Sequence, residues 1–297
     1  MTTQLRSRSQ RRPSAPATAG NRPRRRAARI DRPPRAAVAF TALFFTVLYL
    51  PIVVVVLFSF NSAKSLAVFH GFSTRWYHAF FRDAELTGSV VTSIEIAAVA
   101  MVGSVVLGVL LGVGLVRSRA RIGKLSNVIM LVPLITPEII TGVASLLLFK
   151  AVDLRPSLVT VMLAETTFSI SYVTVILRSR IAEVNPEVED AAMDLGASRW
   201  QAFRTTTLPL LWPTIVATAL LVFTMVFDDF VLAFFTTGVT PQPISVRIYS
   251  AIRFGIQPTI NAVGTLMLGG SILLIVLALV LTRLLGRRGT GRDLFGG

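Results

Sequence analysis

Five carboxylic acids stand in stretches otherwise too apolar to hold a charge: Glu95, Glu138, Glu165, Asp228 and Asp229. An acid at the centre of a membrane helix costs ~2.5–3.5 kcal/mol on insertion scales, so such groups face a protein interior or a wet cavity. No lysine or arginine lies inside the same stretches. Unless protonated, these acids need a cation from elsewhere. Three chemistries are open to them: binding a cationic solute, relaying protons or sodium, or structural pairing and capping. Asp228 and Asp229 are neighbours in the chain. Successive residues on a helix point ~100° apart, so at most one of the two faces straight down a central path.

Other chemistry is excluded or weak. The chain has no cysteine, which removes disulfides and thiolate metal sites. His70 and His78 lie eight apart in a loop and read as solvated side chains. No G-x4-G-K-[ST], G-x-S-x-G or H-E-x-x-H pattern occurs, and no nucleophile–base set can be assembled. No catalytic residue, metal or cofactor is expected. The chain cannot bind ATP by the Walker route, and any energy source must sit elsewhere.

The elements that must position the acids follow from composition. Of 297 residues 53% are hydrophobic and 15% charged, with a mean hydropathy of +0.68. A soluble domain carries ~25% charged residues. The expected fold class is an all-α polytopic membrane protein with six transmembrane helices. The spans are placed at about 37–59, 88–116, 125–149, 156–177, 213–235 and 260–282. Each can cross a ~30 Å hydrocarbon layer, where the backbone must satisfy itself as helix. Glu95 falls in the second span, Glu138 in the third, Glu165 in the fourth and the aspartate pair in the fifth. Pro133 and Pro137 break the third span, which places it against a translocation path or leaves Pro137-Glu138 at the interface. Gly108 and Gly112 in the second span permit close helix packing. Short outer helices are expected in the aromatic loop 60–87 and near 245–254.

Net charge is +15, concentrated at the ends. Residues 1–36 hold eleven arginines among proline, alanine and serine, the composition of a disordered arm that meets membrane lipid rather than nucleic acid. Residues 286–297 form a short tail. The two ends and the loops 117–124 and 178–212 hold 23 of the 30 lysines and arginines. By the positive-inside rule these segments are cytoplasmic.

One of those loops is itself structured. In Glu187–Pro209, Asn185 and Pro186 open a first short helix, with Glu187, Glu189 and Asp190 in its first turn. Val188, Ala191, Ala192 and Leu195 share one apolar face. Gly196 is placed to end this helix in a left-handed turn. After Ala197, Ser198 and Gln201 have capping-box spacing for a second helix, with Trp200 and Phe203 on one side.

The pattern Asp190-Ala-Ala-x3-Gly196-x11-Leu208-Pro209 resembles the coupling loop of ABC-importer permeases, which docks on the ATPase subunit. Asp190 replaces the usual glutamate and Thr206 the usual isoleucine. A second set of residues is similar to the second permease of spermidine/putrescine importers. It comprises Pro133-x3-Pro137-Glu-Ile-Ile, Phe227-Asp-Asp-Phe-Val-Leu-Ala-Phe-Phe-Thr-Thr-Gly238, and Ile244-x3-Ile248-Tyr-Ser with Pro258-x2-Asn261. The likeness implies the type I importer fold and an ATPase-coupling set of Glu189, Asp190, Ala191, Ala192, Leu195, Gly196, Ala197 and Ser198. It also implies two ATPase subunits, a second permease subunit, an extracytoplasmic solute-binding protein and a polyamine cargo. Asp228, Asp229, Glu165, Glu95 and Glu138 are the candidates for the substrate path.

Overall fold

The computed structural model describes residues 35–65, 68–117, 122–239, 241–254 and 257–290. The expected N-terminal arm, up to residue 34, and the last seven residues of the tail lie outside the described residues. Two compact units divide the chain between Tyr49 and Leu50. Every named element is a helix: α1 (Arg35–Ser59), α2 (Arg75–Arg82), α3 (Ala84–Arg117), α4 (Ile122–Ile135), α5 (Glu138–Ala151), α6 (Leu158–Glu183), α7 (Glu187–Asp194) and α8 (Arg199–Ala202). A π-helix over Phe203–Thr207 then leads into α9 (Leu208–Asp228), followed by α10 (Val231–Thr236), α11 (Ile244–Phe254) and α12 (Pro258–Thr290). Among the described residues five helices are long and apolar enough to cross a membrane, and six spans result if the bent pair α4–α5 counts as one.

The core of the second unit is the packing of α3, α6 and α9. Ile96, Ala97 and Ala100 of α3 meet Val173, Leu177 and Ile181 of α6 and Leu211, Ile215 and Val222 of α9. Small residues on α3 let the backbones approach. A Cβ added at Gly108 would lie 2.4 Å from Val173 Cγ1, and one at Gly112 would lie 3.3 Å from Ile181 Cδ1. At Gly114 nothing lies within 4 Å. Gly108→Leu is therefore expected to destabilise the fold by ~1–3 kcal/mol through overpacking. Gly114→Ala is expected to be neutral or slightly stabilising, since alanine is the better helix former. Thermal unfolding of the two purified variants checks the contrast.

Two expected spans are interrupted, each for a local reason. The third does not break at Pro133, which lies inside α4. It breaks at Thr136–Pro137, with a bend of 110°. Pro137 has no N–H to donate and its backbone is extended, at φ −55°, ψ 132°. Thr136 turns its hydroxyl back onto the Val132 carbonyl, 2.6 Å away. The fifth span ends at Asp228 rather than continuing as one helix to 235, because Asp229 is extended (φ −66°, ψ 130°) and its carboxylate starts a new helix.

The segment between α1 and α2 is tied down. Asn61, fully buried, holds its loop through hydrogen bonds to the backbone of Ser65, Val68 and His70. The Trp76 indole donates to the Asn61 carbonyl at 2.7 Å. Trp76 and Phe80 of α2 are buried, so part of the aromatic density in loop 60–87 is packing.

Candidate functional site

Three of the five acids converge. Glu138 opens α5 directly after the bend, Glu165 lies seven residues into α6, and Asp229 sits between α9 and α10. Asp229 interacts with the carboxyls of both Glu138 and Glu165, and Glu165 also feels the charge of Glu138. Asp229 is itself fixed by the backbone. It accepts from the N–H groups of Val231 (3.3 Å), Leu232 (3.0 Å) and Ala233 (3.4 Å), which caps α10. Its carbonyl accepts from Ser245 Oγ on α11 at 2.6 Å. Glu165 is only 2% exposed, and its Oε1 has no hydrogen-bond partner among the described residues.

The other two acids stand apart. Asp228 turns the other way, where its Oδ2 accepts from Ser271 Oγ of α12 at 2.8 Å. It lines a separate groove of about 560 Å³ with Thr218, Thr224 and Ile275. Glu95 lies on an exposed face of α3 between Ile94 and Val99, and makes no hydrogen bond or ion pair among the described residues. An aromatic group that the sequence reading did not weigh sits beside Asp229. The ring centroids of Phe230 and Tyr249 are 4.7 Å apart, those of Phe230 and Phe234 5.2 Å, and those of Phe234 and Tyr249 5.6 Å. Aromatic faces attract alkylammonium groups. Tyr249 is 20 residues from Asp229, and the packing of α11 against α10 brings it close.

The second functional element is the 187–209 segment. The N–H of Gly196 bonds to the Met193 carbonyl (2.9 Å) and that of Ala197 to the Ala192 carbonyl (3.1 Å), a Schellman ending of α7. Gly196 has φ +93°, a conformation that L side chains rarely adopt. Ser198 and Gln201 form a reciprocal capping box at 3.3 and 2.8 Å. No residue of α7 is buried. Its apolar face is open, with Leu195 91% exposed, a feature that asks for a partner surface.

Within α7 the two acids of the motif divide the work. Asp190 points out, as does Ala191, while Ala192 is half-buried. Glu189 turns in and accepts from the Arg117 guanidinium at the end of α3 and from the Thr207 hydroxyl at the base of α9. The Arg117 guanidinium lies 5.2 Å from the Phe203 ring centroid. Glu189 thus pins α7 to two membrane helices at once. In the sequence Arg117 counted only as a topogenic charge, and no local signal pairs it with Glu189.

Comparison with known proteins agrees with this geometry. A family model described as "Binding-protein-dependent transport system inner membrane component" matches residues 104–289. The putrescine transport system permease protein PotI of Escherichia coli is 38% identical over 239 residues, covering 78% of this chain and 85% of that protein. The spermidine/putrescine transport system permease protein PotC of Haemophilus influenzae is 34% identical over 245 residues, covering 82% of this chain and 95% of that protein. A chain in the crystal structure of a bacterial ABC transporter involved in alginate import superposes with a TM-score of 0.67 at 15% identity, over 85% of this chain and 94% of that one. A chain of the MetNI methionine ABC transporter superposes with a TM-score of 0.58 at 16% identity, over 72% and 99%. These likenesses establish the importer-permease fold, and with it a subunit that hydrolyses no ATP itself and works with a separate ATPase and a solute-binding protein. The chain belongs to the inner-membrane permease family of binding-protein-dependent ABC importers.

Proposed function

We propose that this chain is one of two unlike permease subunits of an importer for polyamines, assembled with two ATPase subunits and an extracytoplasmic solute-binding protein. The observation that carries the cargo assignment is the convergence of Glu138, Glu165 and Asp229, for which no lysine or arginine partner is found among the described residues. A solute with two or more ammonium groups satisfies several carboxyls at once, each by a charge-assisted hydrogen bond. Phe230, Phe234 and Tyr249 suit the methylene chain and the cationic head of such a solute. The relatives named for putrescine and spermidine transport support the same reading.

In this reading both termini and the 178–212 loop face the cytoplasm, in line with the charge distribution. The open face of α7 docks on the ATPase. Glu189 passes the displacement to α3 through Arg117 and to α9 through Thr207. Docking must differ in free energy between the inward- and outward-open states, or hydrolysis moves nothing. Asp229 lies at the far end of α9, so a shift of that helix reaches the acid cluster directly.

The test is uptake by the complex purified in mild detergent with its companions and reconstituted in vesicles. Labelled putrescine or spermidine should accumulate only with the capture protein and ATP, and unlabelled diamine should compete where a neutral sugar does not. Uptake that follows an ion gradient and ignores ATP, or a preparation without an ATPase, would overturn the proposal.

A further inference from the structure

We infer that the groove between α3 and the α8–α9 segment is a binding site for an anionic phospholipid of the inner leaflet. The groove has a volume of about 580 Å³. Its walls are apolar and open to the surroundings, with Val106 54%, Leu110 61% and Trp212 52% exposed. At Gly114 the floor has no side chain and, among the described residues, no neighbour within 4 Å of where one would begin. From Val105 to Arg117 the helix advances ~18 Å, close to the length of a phospholipid acyl chain.

One end of the groove is chemically different from the rest. Arg117, Arg199 and Trp200 line it. Glu189 already neutralises Arg117. Arg199 is exposed and has no partner among the described residues. Trp200, 64% exposed, follows it in the chain and Trp212 lines the same groove, and indole rings favour the headgroup level. A free guanidinium above a hydrocarbon-lined slot asks for an anion carrying a long apolar tail. Basic pockets between helices at the cytoplasmic face hold anionic headgroups on this principle, and the guanidinium fork matches a phosphate. A free phosphate would leave the slot empty. An apolar helix from another subunit would leave Arg199 unpaired. The lipid satisfies both ends.

The site touches the coupling machinery. The groove is also lined by Phe203, over which Arg117 stacks, so a lipid in it bridges α3 and the segment leading to α9. The inference rests on placing loop 178–212 at the inner face, but lipid retention is read on the purified complex, whatever the sidedness or the solute.

The experiment is native mass spectrometry of the assembled transporter with phosphatidylglycerol or phosphatidylcholine added. Phosphatidylglycerol adducts should exceed those of phosphatidylcholine. Arg199→Gln should lower phosphatidylglycerol occupancy about fivefold and leave phosphatidylcholine unchanged. Gly114→Leu, which fills the slot, should reduce adducts of both. Among the described residues Arg199 has no partner to lose, so its variant keeps the test open if Gly114→Leu fails to assemble. Equal retention of the two lipids, phosphatidylglycerol occupancy unaltered by Arg199→Gln, or cross-linking of a probe at Val106 to the second permease instead of to lipid would overturn the inference.

Discussion

Gly196→Val is expected to cut ATP-driven uptake ~5- to 150-fold in a transporter that still inserts in the membrane. Gly196 has φ +93°, and a β-branched residue there costs ~1–3 kcal/mol. No atom lies within 4 Å of the added Cβ, so the cost is one of backbone conformation and not of a clash. The strain is relieved by unwinding the Schellman turn that sets the angle between α7 and α8. At that energy the population of correctly presented α7 falls ~5- to 150-fold. The motor then has no lever, while the α3–α6–α9 core is untouched. Gly196→Asn is the matched control, since asparagine tolerates the left-handed region and should keep a measurable fraction of uptake. ATP hydrolysis by the reconstituted complex, measured with uptake, separates uncoupling from misfolding. Wild-type uptake by the valine variant would show that the turn has no part in coupling.

Glu165→Gln is expected to give the second-largest loss, of a different kind. The substitution keeps shape and hydrogen-bonding capacity and removes one ionisable group from a site 2% exposed. The chain itself should be no less stable, because an uncompensated buried acid is costly to fold around. A charge-assisted hydrogen bond to the cargo is lost, worth ~1.5–3 kcal/mol, so uptake efficiency for a diamine should fall ~10- to 100-fold. The loss should appear with ATPase coupling intact, the reverse of the Gly196→Val phenotype. Glu95→Gln is the comparison, because Glu95 is exposed and makes no hydrogen bond or ion pair among the described residues, and its uptake should stay near wild type. If both variants transport equally well, the three-carboxyl cluster is not on the path.

What the sequence made legible was what is decided locally. The capping box at Ser198, the left-handed glycine at 196 and the apolar face of α7 depend on residues within one or two turns, and spacing alone places them. The spans were legible because the bilayer sets their length and composition. The breaks were half legible. Pro137 marks a kink by covalent structure, but Pro133 sits quietly in α4, since a membrane helix can bend around a missing donor without ending. Nothing local told Asp228 from Asp229. The chain reverses into extended backbone between them, and the two carboxyls diverge, one to Ser271 of α12 and the other to the acid cluster. The Glu189–Arg117 pair spans 72 residues, and only the packing of α3 beside the loop creates it.

The central claim is that α7 is a lever on the inner face, worked by a separate motor. The native chain has no cysteine, so Leu195→Cys places a single thiol on the most exposed apolar position of that lever. A membrane-impermeant maleimide applied to intact cells should leave this thiol unlabelled. It should label it after permeabilisation, and less so when the ATPase subunits are bound. Labelling from outside intact cells, at the rate of a control cysteine in α11, which the account places on the outer side, would contradict the account.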